Sequence, residues 1–283
     1  RNNLDGKTCQ SLGFDSGVLA CRSDCSGFDV SHCASQCDVT LDTLLLLDKS
    51  RSMIDPVDKL SDAKMAAKSF VSVLDPNLDR VGLVSFATDA QLDSGLTHQF
   101  GIVRTKIDSI LAEGATNMGK GILTSTQELR NRGRINIPHV LILLSDGEPT
   151  LGPNNIWCGN RPTEPNVCTN YALEQATSAK NSGIVIYTVG LGIDPRSFQE
   201  NLLKDIASDD TNYYSAPSSS DLISIYIELA KGICHDFKIC GNGIVEIGEG
   251  CDDGILNGEP NFCKEDCSGI ISCYSSEDCN DQN

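Results

Sequence analysis

Residues 44–53, LLLLDKSRSM, join an entirely apolar run to three oxygen-bearing side chains. Consecutive leucines are typical of a strand that is buried on both faces of a sheet. Asp48, Ser50 and Ser52 then follow at every second position. A helix cap or a tight turn would explain one such residue. Three of them at this spacing indicate a loop that binds a cation.

Short apolar runs recur along the middle of the chain and alternate with amphipathic stretches. Strands are predicted at 39–47, 80–86, 139–144 and 184–190. Helices are predicted at 59–74, 102–111, 118–130, 171–182 and 221–233. Apolar strands that alternate with helices predict an α/β fold: a doubly wound, mostly parallel sheet, flanked by helices and joined by right-handed crossovers.

The distribution of the 14 cysteines divides the chain into three parts, with five before the apolar middle, two within it and seven after it. We predict a small Cys-rich module at 1–37, the sheet domain at 38–234, and an acidic Cys-rich module at 235–283. Such density at both ends favours disulfide-stapled modules made in an oxidising compartment. Zinc binding is the alternative, but the chain contains no CxxC pair to support it.

The odd number of cysteines on each side of the sheet domain predicts one bond between the two groups. Cys37 precedes the first predicted strand and Cys234 follows the last predicted helix. A Cys37–Cys234 disulfide would clamp the ends of the domain and leave even numbers to pair locally. Cys158 and Cys168 would close a small ring inside the domain, a constraint worth about 2–3 kcal/mol.

The charge balance narrows the classes of partner. The net charge is −17, from 22 basic and 39 acidic residues, which disfavours nucleic acids and anionic membrane surfaces and favours metal cations. No apolar run reaches the roughly 18 residues that span a bilayer, so we expect no direct membrane insertion of this segment. The chain begins at Arg1 without a signal peptide, and we expect a mature form or an excised piece of a longer secreted or cell-surface protein.

Two further loops carry oxygen side chains that complement those at residues 48–52. The loop GATNMG places Thr116 just before a predicted helix, and LSDGEP places Asp146 directly after a predicted strand. Ligands of open α/β sheets bind at the carboxyl ends of the strands, so we expect all five side chains to converge there. Hydroxyl and carboxylate oxygens are hard donors that suit Mg²⁺, Ca²⁺ or Mn²⁺, and they are unsuited to zinc or copper.

The three pieces together, DxSxSM after an apolar strand, Thr in a Gly-rich loop and SDG after a later strand, resemble a von Willebrand factor A domain over residues 38–234. In that family this set forms the metal-ion-dependent adhesion site. The resemblance implies that Ser50, Ser52 and Thr116 bind the metal directly or nearly so, while Asp48 and Asp146 act largely through water. A cation held by neutral hydroxyls keeps an open position for an Asp or Glu of a partner protein or neighbouring subunit.

The segment between Asp146 and the helix predicted to start at Tyr171 has no period and is long for a loop in a compact domain, which is typical of functional loops. Because it leaves from Asp146, we expect it to overhang the metal. Trp157 and Arg161 in this segment are candidate ligand contacts. The alternative is that Trp157 packs on the neighbouring disulfide.

Residues 240–254, CGNGIVEIGEGCDDG, resemble a short Cys-rich repeat of bacterial secreted and surface proteins. Glu246, Glu249, Asp252 and Asp253 form a possible second calcium site, and solvated acidic turns are the alternative. The N-terminal module resembles segments that accompany such repeats. Neither resemblance implies an activity.

No catalytic motif of the HExxH, GxSxG or P-loop type is present, so we expect no enzyme. A phosphotransferase would require a second acidic residue at position 50, which is Ser50 in this chain. We predict an extracellular, divalent-metal-dependent adhesion or protein-ligand-binding module. The alternative is a structural subunit of a surface assembly or filament, in which the metal only firms the fold or a subunit contact.

Overall fold

The computed structural model describes residues 40–55, 57–159 and 165–216, short stretches at 7–9, 16–17, 20–21, 28–29 and 33–34, and the positions 221–222, 225–226, 229, 233 and 264. The chain divides into two compact units, residues 1–35 with 40–230 and residues 36–39 with 231–283. The strands and helices described below belong to the first unit.

Six strands form the central sheet, in the spatial order β6-β5-β4-β1-β2-β3. All neighbours are parallel except β2 and β3, which are antiparallel. The predicted mostly parallel sheet is therefore confirmed, and the strand order reverses beside β1. The strands are β1 (Asp42–Asp48), β2 (Arg80–Phe86), β3 (Ala90–Thr97), β4 (His139–Ser145), β5 (Ile184–Leu191) and β6 (Tyr213–Ala216).

Within the described residues, five α-helices connect the strands. They are α1 (Lys59–Val73), α2 (Phe100–Ser109), α3 (Met118–Arg132), α4 (Val167–Lys180) and α5 (Phe198–Ile206). Apolar side chains of α3, α4 and α5 pack with one face of the sheet in a single buried cluster. Among the described residues, no helix is long and apolar enough to cross a bilayer.

β1 is the central strand, and its leucines are buried on both faces. Leu44 and Leu46 belong to the cluster that contains α3, whereas Leu45 and Leu47 point to the other face and are also completely buried. Gly121 lets α3 approach this strand closely, because a Cβ there would lie 3.0 Å from the side chains of Leu46 and Phe86. This packing fixes the position from which the loop after β1 departs.

β1 begins with a buried carboxylate. The Asp42 side chain is completely buried, and it accepts hydrogen bonds from Arg80 Nη2 at 2.6 Å and Arg134 Nη2 at 2.7 Å. The backbone N–H of Arg134 also donates to Asp42 at 2.6 Å. This cluster ties β1 to β2 and to the loop before β4, at the end of the strand away from Asp48.

Three elements of the sheet domain were not predicted. The alternation of apolar and polar residues along β3 is too weak to detect, because β3 is a partly exposed edge strand. Its pairing with β2 also carries register shifts. α5 and β6 are short, with nine and four residues. α4 begins at Val167 rather than at Tyr171, since the Asn166 side chain caps it by accepting from the N–H groups of Cys168 and Thr169.

The end modules remain predictions. In the N-terminal region residues 16–17 pair antiparallel with 33–34, and residues 20–21 pair with 28–29. Cys37, Cys234 and the four acidic residues of the possible calcium site lie outside the described residues. The predicted Cys37–Cys234 bond and second calcium site therefore stay predictions.

Candidate metal centre

The oxygen side chains identified in the sequence come from loops at the carboxyl ends of two adjacent strands and from the loop before α3. β1 and β4 are paired so that Leu47 lies opposite Leu144. Asp48 and Ser145 are consequently neighbours at the ends of their strands. The topological switch point of the sheet thus lies where the sequence pattern placed a ligand site.

A chain of hydrogen bonds joins the loop after β1 to the loop after β4. The Ser52 hydroxyl donates to Asp146 Oδ1 at 2.8 Å. The hydroxyls of Ser50 and Ser52 lie 3.0 Å apart, and the Ser50 N–H donates to Asp48 Oδ1 at 2.8 Å. Four of the five predicted ligands are therefore linked through direct bonds.

Asp48 lies beneath this chain and is completely buried. Burial, followed by the negative charge of Asp146, raises the pKa of Asp48 from 3.8 to about 7, although hydrogen bonds from Ser145 and Ser50 oppose the rise. The Ser145 hydroxyl donates to Asp48 Oδ2 at 2.6 Å. A carboxyl group in such a place favours a cation close by, because a cation would stabilise its charged form.

Thr116 is the fifth predicted ligand, and it is held by its backbone. Its N–H donates to Thr150 Oγ1 at 3.0 Å, and its carbonyl oxygen accepts from the N–H groups of Thr150 and Leu151. The next residue, Asn117, caps α3 by accepting from the Lys120 N–H. These bonds use the backbone of Thr116, so its hydroxyl is not needed to hold the loop.

One cavity of about 720 Å³ is lined by Ser50, Ser52, Thr116 and Asp146 together. Its oxygen donors fit a hard divalent cation such as Mg²⁺, Ca²⁺ or Mn²⁺. Within the described part of the chain, no group of three His, Cys, Asp or Glu side chains is arranged to hold a metal. A cation in this cavity would therefore rely on the hydroxyl groups.

Two polar residues of the site were missed by sequence reasoning. Ser145 had a usable signal, since it ends β4 beside Asp48 once the two strands are taken as neighbours. Lys59 had none: it opens α1, and its Nζ donates to Asp146 Oδ2 at 2.7 Å. The partner of a long, flexible side chain is set by tertiary packing and not by local spacing.

The described part of the loop after Asp146 contains contacts that the sequence did not indicate. Leu151 and Trp157 form an antiparallel bridge, and Cys158 and Cys168 are joined by a disulfide with their Cα atoms 6.2 Å apart. The Trp157 side chain lines the cavity and is 56% exposed. Arg161, the other candidate contact, lies outside the described residues.

The chain matches the von Willebrand factor type A domain over residues 42–227. Among curated proteins, a UPF0353 protein of Mycobacterium sp. (strain KMS) is 26% identical over 215 residues, which cover 68% of this chain and 60% of the relative. The chain thus spans less than two thirds of that relative's length.

Two solved structures illustrate the fold similarity. The von Willebrand factor domain of the type V pili tip protein Mfa5 from Porphyromonas gingivalis superposes with a TM-score of 0.61 at 18% identity, covering 71% of this chain and 97% of that domain. Proximal thread matrix protein 1 of the mussel byssus, with a zinc-occupied adhesion motif, has a TM-score of 0.55 at 22% identity, covering 70% of this chain and 46% of that protein. At these identities the likeness concerns the fold.

Proposed function

The chain belongs to the von Willebrand factor type A domain family, and from this premise we propose that it is an extracellular, divalent-metal-dependent adhesion or protein-ligand-binding module. The observation that carries the proposal is that Ser50, Ser52, Thr116 and Asp146 line one cavity together. A bound cation would supply an electrophilic centre at the protein surface. The partner would be a protein ligand, or a neighbouring subunit, that presents an Asp or Glu.

The roles of the residues follow from their charge and burial. Ser50, Ser52 and Thr116 offer neutral oxygens, so they hold a cation without cancelling its charge. Asp48 is buried and does not line the cavity, and Asp146 is tied to Ser52 and Lys59. Their negative charge stabilises a cation from the protein side, while the side toward solvent stays open to an anion.

The alternative is a structural subunit of a surface assembly, in which the cation only firms the loops. The matrix protein among the structural neighbours favours this role. The direct bonds within the site argue against it. Bonds from Ser52 and Lys59 to Asp146 and from Ser145 to Asp48 already join the segments after β1 and β4, and the Arg51 N–H donates to the Gly114 carbonyl oxygen of the loop before α3. A cation is therefore better explained by binding than by holding the loops together.

Mg²⁺ is the proposed cation, with Ca²⁺ or Mn²⁺ as substitutes, because the donors are hard oxygens. The zinc-occupied adhesion motif of the mussel protein weakens the expectation that such donors disfavour zinc. Zinc therefore belongs among the ions to be tested.

The excess of acidic residues disfavours nucleic acids as partners, and the Cys158–Cys168 disulfide fits an extracellular location. We propose no enzymatic role.

Thr116→Val is expected to abolish metal-dependent ligand binding and leave the fold intact. Valine has nearly the shape of threonine and lacks only the hydroxyl, while the hydrogen bonds of residue 116 to Thr150 and Leu151 use its backbone. The measurement is binding to an array of peptides that each contain one Asp or Glu, paired with Asn or Gln counterparts, in Mg²⁺ or Mn²⁺ and in EDTA.

Thr177→Val is the matched control, because Thr177 lies on α4 and its hydroxyl bonds only the carbonyl oxygen of Leu173. Wild type and this control should bind carboxylate peptides only when metal is present. Metal that raises the melting temperature without any carboxylate-dependent binding would favour the structural alternative. Equal peptide binding by Thr116→Val and wild type would contradict the proposed site.

Trp157→Ala is expected to weaken peptide binding about tenfold or more, the range of aromatic hot spots, without changing metal affinity. The exposed Trp157 ring lines the cavity but coordinates nothing, so it should contact the ligand and not the metal. Leu111→Ala, at a side chain that is 76% exposed, controls for loss of surface apolar area. If Trp157→Ala binds the peptides as tightly as wild type, Trp157 does not contact the ligand, and its ring only packs on the Cys158–Cys168 disulfide.

A further inference from the structure

Both oxygens of the Asp146 carboxylate are engaged by the protein itself. Oδ1 accepts from the Ser52 hydroxyl at 2.8 Å, and Oδ2 accepts from the Lys59 ammonium group at 2.7 Å. The Asp146 side chain is only 2% exposed and that of Lys59 is 23% exposed. The ion pair is therefore largely shielded from water. Two charges in such a place attract each other more strongly than they would at an open surface.

The position of Lys59 is not explained by the needs of its helix. Lys59 is the first residue of α1, and the Asp58 side chain caps that helix by accepting from the Ser61 N–H. A helix N-terminus carries a partial positive charge, which disfavours a cation there by about 0.3–1 kcal/mol. The attraction of Asp146 accounts for the lysine at this place.

The Lys59 side chain reaches the candidate metal ligands, because its ammonium group donates to Asp146 Oδ2. Lys59 lines the same cavity as Ser50, Ser52 and Thr116. On its other side it approaches the loop after β5, where a Cβ added to Gly192 would lie 4.0 Å from Nζ. A positive charge that belongs to the chain is thus fixed within the site where a divalent cation would bind.

We propose that Lys59 is a built-in counter-cation of Asp146, which competes with the divalent cation and sets the metal affinity of the site. This inference rests on the proposed function, because it requires that the cavity binds a metal. A divalent cation drawn to Asp146 meets repulsion from the ammonium group on the same carboxylate. Lys59 would keep metal binding moderate, and at the same time it adds positive charge that attracts an anionic partner.

Lys59→Gln is the variant that tests the inference, since glutamine can still donate a hydrogen bond to Asp146 but carries no charge. We expect the dissociation constant for Mn²⁺, measured by isothermal titration calorimetry, to fall about tenfold, within the usual range of coupling between sites. Lys59→Arg retains the charge and should keep an affinity close to that of wild type. A purely structural role of Lys59 would instead leave the affinity unchanged or weaken it.

Lys68→Gln provides the matched control on α1, because Lys68 pairs with Asp108 at a more exposed place. It should leave the Mn²⁺ affinity unchanged. Equal or weaker Mn²⁺ binding by Lys59→Gln, in a wild type that binds Mn²⁺, would overturn the inference and leave the proposed function intact. If neither wild type nor Lys59→Gln binds Mn²⁺, Ca²⁺, Mg²⁺ or zinc, the proposed metal site fails and the inference fails with it.

Discussion

Replacing Asp42 by alanine is expected to lower the free energy of unfolding by about 3–5 kcal/mol, the usual cost of breaking a buried ion pair by removing one partner. The carboxylate is completely buried and accepts from the guanidinium groups of Arg80 and Arg134. Alanine would leave these two positive charges facing each other without a counter-ion. The measurement is urea unfolding at pH 7 with the disulfides intact.

Asp108→Ala is the matched control, since it removes the carboxylate partner of Lys68 from a pair in which both side chains are substantially exposed. Exposed pairs contribute about 0–1 kcal/mol, so the control should unfold near the wild-type midpoint. A loss below about 1 kcal/mol in Asp42→Ala would show that the Arg80–Asp42–Arg134 cluster is not a main support of β1.

The pKa of Asp42 gives this cluster a pH signature. Burial alone would raise that pKa, but the hydrogen bonds from Arg80 and Arg134 outweigh burial and hold it below 3.8. Because the pKa of Asp42 is lower in the folded state, the unfolded state binds more protons than the folded state between the two pKa values. The stabilisation is therefore present above the unfolded pKa near 4 and is lost as the pH falls through the lower folded value.

The centre of the fold could be predicted because one stretch carried two independent signals. The apolar run of β1 required burial on both faces, and the polar residues at 48–52 required a place at the edge of a sheet. The carboxyl ends of parallel strands supply that place. The sequence therefore predicted that the loops carrying Ser52 and Asp146 meet, and the structure joins these two side chains directly. The order of the strands in the sheet was not predicted.

The parts that escaped prediction depend on tertiary contacts. β3 packs at the sheet edge and is only partly buried, so its hydrophobic alternation is weak. The partner of Lys59 is distant in sequence, and nothing in the local pattern distinguishes this lysine from a solvated one. The start of α4 was hidden because Asn166 and Thr169 form a capping box without the more familiar serine and glutamate.

Asp48 and Asp42 lie at opposite ends of β1 and respond to pH in opposite directions. Asp42 has two positively charged neighbours, whereas Asp48 is buried near the negative charge of Asp146. The pKa of Asp48 is raised from 3.8 to about 7, first by burial and then by Asp146. The folded state therefore binds more protons at Asp48 than the unfolded state does between these two values.

Asp48→Asn is accordingly expected to stabilise the metal-free protein by about 4 kcal/mol at pH 8, the cost of ionising a carboxyl whose pKa is raised by this amount. Asparagine can keep the bond from the Ser50 N–H. The Ser145 hydroxyl can accept from its amide and turn its own proton to the carbonyl oxygen of Gly147, which lies 3.3 Å away. The measurement is urea unfolding in EDTA at pH 5 and pH 8.

The wild-type free energy of unfolding should fall between pH 5 and pH 8 relative to Asp48→Asn, because the native carboxyl must lose its proton while the unfolded one already has. Comparing the two proteins at each pH cancels the pH-dependent contributions that they share. Asp55 is an exposed carboxylate that lines the cavity of the candidate metal centre. Asp55→Asn should leave the free energy of unfolding unchanged at both pH 5 and pH 8. Parallel pH profiles for wild type and Asp48→Asn would show that Asp48 is not held in a destabilised state. Divergent profiles, with metal-dependent binding lost in the more stable variant, would mean that this charge is kept for function at the expense of the fold.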